Sequence, residues 1–577
     1  MDAPRADSVV ADGAGTATAE WRARARDASA RAAAATARAW ERVPVAEPWR
    51  VLLPLLAVHW VALGLFALSV RNNGWLFYQG GDQIWYYTTG WLLGDGWIPF
   101  PRVSQGWSLL LAPISLVAGP GYVSALPAVV LLQVFVLAPA ALWAVYEIAG
   151  RLGGRLGGYV AVLVWTFAPY LTIPLFADRY HEKYVEQFLP HVLGLTAMAD
   201  YPSVVLMLVA AALSIRAVQA RDPRAAVVAG LAAGFAGVIK PSNYIFVAAP
   251  LVGFAFSRRP REFLAFACAL APSLGALTLW KYQGLGYVPA FSTSYQEIRL
   301  ASAGDTLLRP YNRYVHIDWD HLHINLLQLR EVFWSMRVLE WVPLAGAIAV
   351  ARRSVPAALL LSVWFWSFFV FKGSAEGASV EGGSFWRLVM PGVPALLIMV
   401  AALPLLVPRL GPDLANRFRL PTVRPLSNKI VVVAALVLGV APLAAAAVVR
   451  PLEGEGKVVE VNGIAVPVDG DIALDTGVQP GAVQLRWREL GIGNAEVFYR
   501  LLRSRGATDN ECIVHPGGVK RCLVTGEAVR TTRGKTALDR PGRGTWTYRV
   551  GVGANHLDDP RAGDVFLVSR PVTVTLP

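Results

Sequence analysis

Gly81-Asp82-Gln83-Ile84-Trp85-Tyr86-Tyr87 sets a carboxylate among aromatic residues shortly after the first membrane-length apolar segment of the chain, residues 51–70. A charged side chain at a membrane boundary is costly to keep there and marks function more often than packing. The stretch therefore points to chemistry where water meets lipid, provided the rest of the chain is a membrane protein. Composition agrees: of 577 residues, 55% are hydrophobic and only 16% charged, whereas a soluble domain carries about a quarter charged. The net charge of +13 comes mainly from arginines. They sit where positive-inside orientation puts them, so nucleic acid is not needed to explain the charge and is not expected as a partner.

Working outward from Asp82, apolar runs predict spans near 51–70, 122–150, 159–176, 203–219, 225–239, 241–256, 263–280, 338–351, 354–371, 388–407 and 430–449. That makes about 11 transmembrane helices in a segment covering 50–450, and a span needs ~20 residues. Arg151 and Arg155, Arg216 to Arg224, Arg258 to Arg261, Arg352 and Arg353, and Arg409 to Lys429 all fall on one side of this count. That side is cytoplasmic, and with it the Ala/Arg-rich segment 1–49, which carries a helix around Trp21 to Arg42 and no signal-peptide pattern. Loops 71–121, 177–202, 281–337 and 372–387 then face outward. Within the first, Trp107 to Val117 is apolar but too short to span and is ended by Gly119-Pro120-Gly121, so it reads as an interfacial helix.

The tail, 451–577, changes character. Val483–Trp487, Glu496–Leu502, Thr545–Val552 and Val565–Leu576 read as β segments between Gly, Pro, Asp and Asn. The expected fold is thus an all-α polytopic membrane protein followed by an extracytoplasmic all-β sandwich. Cys512 and Cys522, close together in that tail, suggest a disulfide in an oxidising compartment. Closing their loop would contribute about 2–3 kcal/mol. Cys268, inside an apolar run, reads as inert packing.

Several polar residues stand out against the apolar chain. Asp82 suits a general base for an acceptor hydroxyl, because partial dehydration raises a carboxylate pKa. Asp200 opens the span from 203, either as a helix cap or as a second acidic member of the same site. Lys240, between two apolar runs, and Arg387, at the outer mouth of another, either snorkel to the interface or meet an anion such as a lipid phosphate. Trp85 and Tyr86 belong to an aromatic cluster over 75–107 that is mostly interfacial belt, with room for one or two rings to stack on a sugar. In an extended strand His316, Asp318 and Asp320 would share one face, as metal ligands do. No recognised ligand spacing accompanies them, so the segment reads as a polar acceptor-binding loop, with a divalent cation as the alternative. No Walker loop, GxGxxG turn or nucleophile elbow supports nucleotide-fuelled cytoplasmic chemistry.

The order of these features resembles the GT-C glycosyltransferases, in particular protein O-mannosyltransferases and lipid A aminoarabinose transferases. The resemblance covers roughly 50–410. It rests on Asp82-Gln83-Ile84-Trp85-Tyr86, on Gly106-Trp107-Ser108-Leu109-Leu110-Leu111-Ala112-Pro113 through Gly119, on Asp200, on Gly230-Leu231-Ala232-Ala233-Gly234 to Lys240, and on Arg387…Pro391. The chain departs from it in having Asp-Gln where relatives often have Asp-Glu, a lone Asp before Tyr201-Pro202, and no Tyr after Arg387. The resemblance implies transfer of a sugar from a polyprenyl-phosphate-linked donor to an extracytoplasmic glycan, lipid or protein. It further implies inversion, Asp82 as base, Asp200 assisting, Lys240 and Arg387 on the donor phosphate, and a multi-pass home in the plasma (cell inner) membrane. The tail resembles a fibronectin type III sandwich through Val483-Gln484-Leu485-Arg486-Trp487, Phe498-Tyr499-Arg500 and Thr545-Trp546-Thr547-Tyr548-Arg549-Val550. Competing readings are a transporter or flippase of lipid-linked sugars and a non-catalytic envelope scaffold. The clustering of acids at one interface, without a two-fold repeat, speaks against the first.

Overall fold

The computed structural model describes residues 47–69, 82–94, 103–119, 122–172, 196–282, 317–332, 337–375, 377–380, 384–406, 454–461, 464–469, 472–488, 497–506, 527–554 and 565–577, with isolated positions at 23–24, 27–28, 31, 96 and 194. The described chain is helical up to Leu406, and strands begin at Gly454. Its apolar helices make the chain a multi-pass membrane protein, and it carries a C-terminal, mainly antiparallel β-sheet domain.

Among the described residues, five helical stretches are long and apolar enough to cross a membrane: Pro48–Leu65, Ala125–Phe167, Asp200–Ala220, Val355–Gly373 and Ser384–Ala401. The second runs for 43 residues, about 65 Å at the helical rise, or twice the hydrocarbon core. It breaks at Gly154, where φ is 74° and ψ −176°. The expected span 122–150 and, as far as Thr172, the expected span 159–176 are therefore two limbs of one helical run turned at a glycine. Span 203–219 is the Asp200–Ala220 helix and 225–239 the Pro223–Ile239 helix. The turn between them is set locally. Arg221 takes a left-handed conformation at φ 54°, and Asp222 accepts from the backbone N–H groups of Arg224 and Ala225 at 3.0 and 3.2 Å, with Pro223 in the first turn.

Other expected spans are interrupted. Residues 241–256 start as a 3-10 helix, Pro241–Val247, before the Ala248–Phe256 helix, and 263–280 divides into Pro260–Ala269 and Ala271–Tyr282. The span near 388–407 begins earlier, at Ser384, and is broken by the 3-10 turn Met390–Gly392. Prolines at 241, 272 and 391 stand at or beside these breaks, where a missing N–H ends the ladder. The expected span 430–449 and the cysteines Cys512 and Cys522 lie outside the described residues, as does most of the helix expected around Trp21 to Arg42. Cys268 is exposed rather than packed inside: it lies on the outer face of the Pro260–Ala269 helix, whose Phe266 side is buried.

The apolar stretch before Gly119 forms the Gln105–Ala118 helix. Trp107 and Leu111 are fully buried, whereas Leu109, Leu110, Leu116 and Val117 are exposed, a division suited to lying against protein on one side and lipid on the other. Its buried side packs on the Asp82–Gly94 helix. Two glycines permit the close approach. A Cβ on Gly90 would stand 2.7 Å from the Ser108 carbonyl, and one on Gly106 would stand 2.7 Å from the Ile239 amide nitrogen. Gly106 thereby draws this helix onto the residue just before Lys240.

In the C-terminal domain the strands are β1 Gly454–Val461, β2 Ile464–Asp469, β3 Ala473–Gln479, β4 Ala482–Arg488, β5 Val497–Arg505, β6 Glu527–Thr532, β7 Thr536–Asp539, β8 Gly544–Ala554, β9 Val565–Ser569 and β10 Val572–Leu576. One sheet runs β1-β2-β9-β8-β5-β6 with β10 also pairing β8, and the other runs β3-β4-β7. The expected single segment Val565–Leu576 is two strands, β9 and β10, because the chain turns at Arg570-Pro571. Strand β4 alternates as expected of a sheet with one wet face: Val483, Leu485 and Trp487 are buried, Arg486 and Arg488 exposed. Strand β2 abuts the Asp82–Gly94 helix, where Trp85 packs against the buried cluster of Val459, Val466, Val468 and Phe498.

Candidate functional site

Asp82 is the first residue of the Asp82–Gly94 helix and Asp200 the first of the Asp200–Ala220 helix, so both carboxylates stand where a helix dipole favours negative charge. Lys240 follows the last residue of the Pro223–Ile239 helix, in an extended conformation at φ −139°. Arg387 lies in the short Ser384–Val389 helix. These four helix ends meet.

Arg387 is the link. Its Nη2 donates to Asp82 Oδ2 at 3.0 Å and lies 3.5 Å from Asp200 Oδ2. Asp200 Oδ1 in turn takes a short ion pair from Lys240 Nζ. Exposure falls steeply through the cluster: the Asp82 side chain is 44% exposed, Arg387 25%, Lys240 16% and Asp200 2%. Two carboxylates and two cations cancel, which is what allows Asp200 to remain charged while buried. The exposed end belongs to Asp82, which leaves its carboxylate in reach of solvent.

The inner end is held by hydrogen bonds. Asn243 Nδ2 donates to Ser203 Oγ at 2.8 Å, and Ser203 Oγ donates to the Asp200 carbonyl at 2.7 Å. The Asn243 amide N–H closes on the Lys240 carbonyl at 2.8 Å, so the 3-10 helix that interrupts the apolar run anchors both members of the inner ion pair. Tyr86, one turn along from Asp82, is buried beside the cluster. Burial first, and then the Asp82 carboxylate, push its phenol well above the usual tyrosine range, so it remains a neutral hydrogen-bonding group.

The structure thus brings Asp82, Asp200, Lys240 and Arg387 together, with Tyr86 alongside. Trp85 goes elsewhere, to the β-domain contact. Asp318 is exposed and caps the Trp319–Val332 helix by accepting from the His321 amide at 2.9 Å. The segment is helical from Trp319 onward and not extended, so Asp318 and Asp320 do not share a strand face. The helix wins because Asp318 is a favourable cap ahead of an amphipathic run. His316 lies outside the described residues. Among the described residues no group of three or more His, Cys, Asp or Glu side chains is placed to hold a metal ion. Sequence reasoning missed the roles of Gln83, Ser203 and Asn243. Their signal is a polar side chain within an apolar stretch.

No protein-family model matches the chain, and no curated protein matches it. Among solved structures, the chain is similar to the archaeal oligosaccharyltransferase AglB from Archaeoglobus fulgidus in complex with an inhibitory peptide and a dolichol-phosphate, at 12% identity and a TM-score of 0.38, over 70% of this chain and 56% of that one. It is also similar to ArnT from Cupriavidus metallidurans bound to undecaprenyl phosphate, at 16% identity and a TM-score of 0.39, over 69% of this chain and 66% of that one. The chain therefore spans between about half and two thirds of the length of these structures.

Proposed function

We propose that the chain is a membrane glycosyltransferase. It moves a sugar from a polyprenyl-phosphate-linked donor to a cell-envelope glycan, lipid or protein at the non-cytoplasmic face, with inversion at the anomeric carbon. The observation that carries this reading is the single arginine, Arg387, spanning a solvent-reachable carboxylate at Asp82 and a buried one at Asp200 that is itself paired with Lys240.

The chemistry follows from the gradient of exposure. An acceptor hydroxyl reaching Asp82 gives its proton to the carboxylate as its oxygen forms the bond to the anomeric carbon. The bond from that carbon to the donor phosphate oxygen breaks, and the electron pair leaves with the polyprenyl phosphate. Charge therefore accumulates on phosphate oxygens, and fixed cations in a water-poor setting stabilise it far more than water does. Arg387 and Lys240 are the two cations in place. Asp200 holds Lys240 and shares Arg387, which makes it a positioning carboxylate. The arginine distribution supports the orientation this scheme needs, with the N-terminus in the cytoplasm and the β domain outside.

The test is transfer from a radiolabelled polyprenyl-phosphate sugar to membrane acceptors by purified protein. Asp82→Asn is expected to lower the rate about 10²–10⁴-fold with an unchanged elution profile and melting temperature. Undiminished transfer rejects Asp82 as the base.

A further inference from the structure

The backbone just ahead of Asp200 is irregular and buried: Thr196, Ala197 and Ala199 are bends, and none of residues 196–199 is helical. Buried irregular backbone must find partners for its N–H and C=O groups, most of all in a membrane protein. Here the partners are side chains from three different helical elements. Gln83 Oε1 accepts from the Ala197 amide at 3.2 Å. Trp107 Nε1 donates to the Ala197 carbonyl at 2.8 Å. Gln133 Nε2 makes a short hydrogen bond to the Thr196 carbonyl. Both polar groups of Ala197 and the carbonyl before it are thus taken, three and four residues before Asp200. Gln83, Trp107 and Gln133 are all buried to within 1% of full burial. Gln133 also opens a π-helical turn, Gln133–Leu137, a distortion that tends to be kept where a helix serves a site.

We infer that Gln83, together with Trp107 and Gln133, is a positioning residue: the clamp on Thr196 and Ala197 fixes Asp200, and through it Lys240 and Arg387, relative to Asp82. The covalent logic is direct. Gln83 is the next residue after Asp82 on the same helix, and Ala197 precedes Asp200 by three positions. The Gln83–Ala197 hydrogen bond therefore ties the backbones of the two acids to each other without using either carboxylate. Loosening it lets the Asp200 end move while every charged residue remains present. A neutral side chain is suited to this position, because a charge buried at 1% exposure without its own partner is costly.

This inference rests on the glycosyl-transfer reading, and the experiment separates the two. Purified full-length Gln83→Leu and Trp107→Phe are compared with wild type for kcat, donor KM and the pH profile of kcat, using the radiolabelled polyprenyl-phosphate sugar. Trp107→Phe keeps an aromatic ring while removing the N–H donor and part of the buried volume, so it serves if Gln83→Leu does not fold. Asp222→Ala, which removes a cap at the opposite end of the helices that carry Asp200 and Lys240, is the stability control. The expected result is a kcat lowered about 10–100-fold in Gln83→Leu and several-fold in Trp107→Phe, with donor KM within about threefold and a displaced acid limb in the pH profile. Asp222→Ala is expected to melt earlier and keep the wild-type kcat. Clamp variants that behave like Asp222→Ala while Asp82→Asn abolishes transfer overturn the clamp alone. Transfer that survives Asp82→Asn overturns the underlying reading.

Discussion

Arg387 reaches Asp82 and Asp200 through one nitrogen, Nη2, at 3.0 and 3.5 Å, so any anion that recruits this guanidinium competes with both carboxylates. Lysine would keep the charge and lose the planar fork. Arg387→Lys is therefore expected to raise donor KM about tenfold in initial-rate kinetics, an amount equal to ~1.4 kcal/mol, and an unchanged KM would remove Arg387 from the donor site. Asp200 is the more dangerous residue to disturb from its partner's side. Lys240→Met leaves a carboxylate at 2% exposure with only the longer contact to Arg387, and breaking a buried pair costs about 3–5 kcal/mol. Lys240→Met with Asp200→Asn should restore most of the melting temperature but not activity. These four charged residues were legible in the sequence because charge at the edge of an apolar run is conspicuous. Their pairing was not, since the partners of Arg387 lie 187 and 305 residues away.

The elements that carry these residues owe their placement to close packing at glycines. Gly90 and Gly106 let the Gln105–Ala118 helix touch both the Asp82 helix and the backbone at Ile239. A side chain at Gly106 must push against backbone atoms that cannot rotate away. Gly106→Val is expected to destabilise by about 1–3 kcal/mol and to reduce transfer by shifting Lys240, read by melting temperature and rate together. Gly154 is different: its positive φ disfavours a side chain whatever the space around it. Gly154→Ala should cost about 1–2 kcal/mol of stability and leave kcat near wild type, because the bend lies outside the ion-pair cluster. The Gln105–Ala118 helix was readable from its apolar run and its glycine stop. The bend at Gly154 was not, because Gly153-Gly154-Arg155-Leu156-Gly157-Gly158 reads equally well as a loop between spans. The helix from Trp319 was not legible, because the polar residues around Asp318 suit a loop as well as a cap ahead of a helix.

Across the whole molecule, the β domain meets the helical part at the helix that begins with Asp82, through β2 and Trp85. Its interior carries a polar centre of its own. Asp539 accepts from the Tyr548 hydroxyl at 2.8 Å and pairs with Arg503 at 3.0 Å, while its side chain is 8% exposed. Asp539→Ala should loosen this domain by about 3 kcal/mol, seen as faster proteolysis between β5 and β8. The alternation of buried and exposed residues in β4 was legible in the sequence; the contact between β2 and the Asp82 helix was not, because it is set by docking between distant parts of the chain. The central claim is that a lipid phosphate is received by Arg387 and Lys240, cations that the two carboxylates otherwise neutralise. Its most direct test is the affinity of the purified protein for undecaprenyl phosphate in detergent, measured by native mass spectrometry. Arg387→Gln should bind at least about tenfold more weakly, while Asp82→Asn, which releases Arg387 from a competing carboxylate, should bind as tightly as wild type or more so. Equal affinity in wild type and Arg387→Gln would contradict the account.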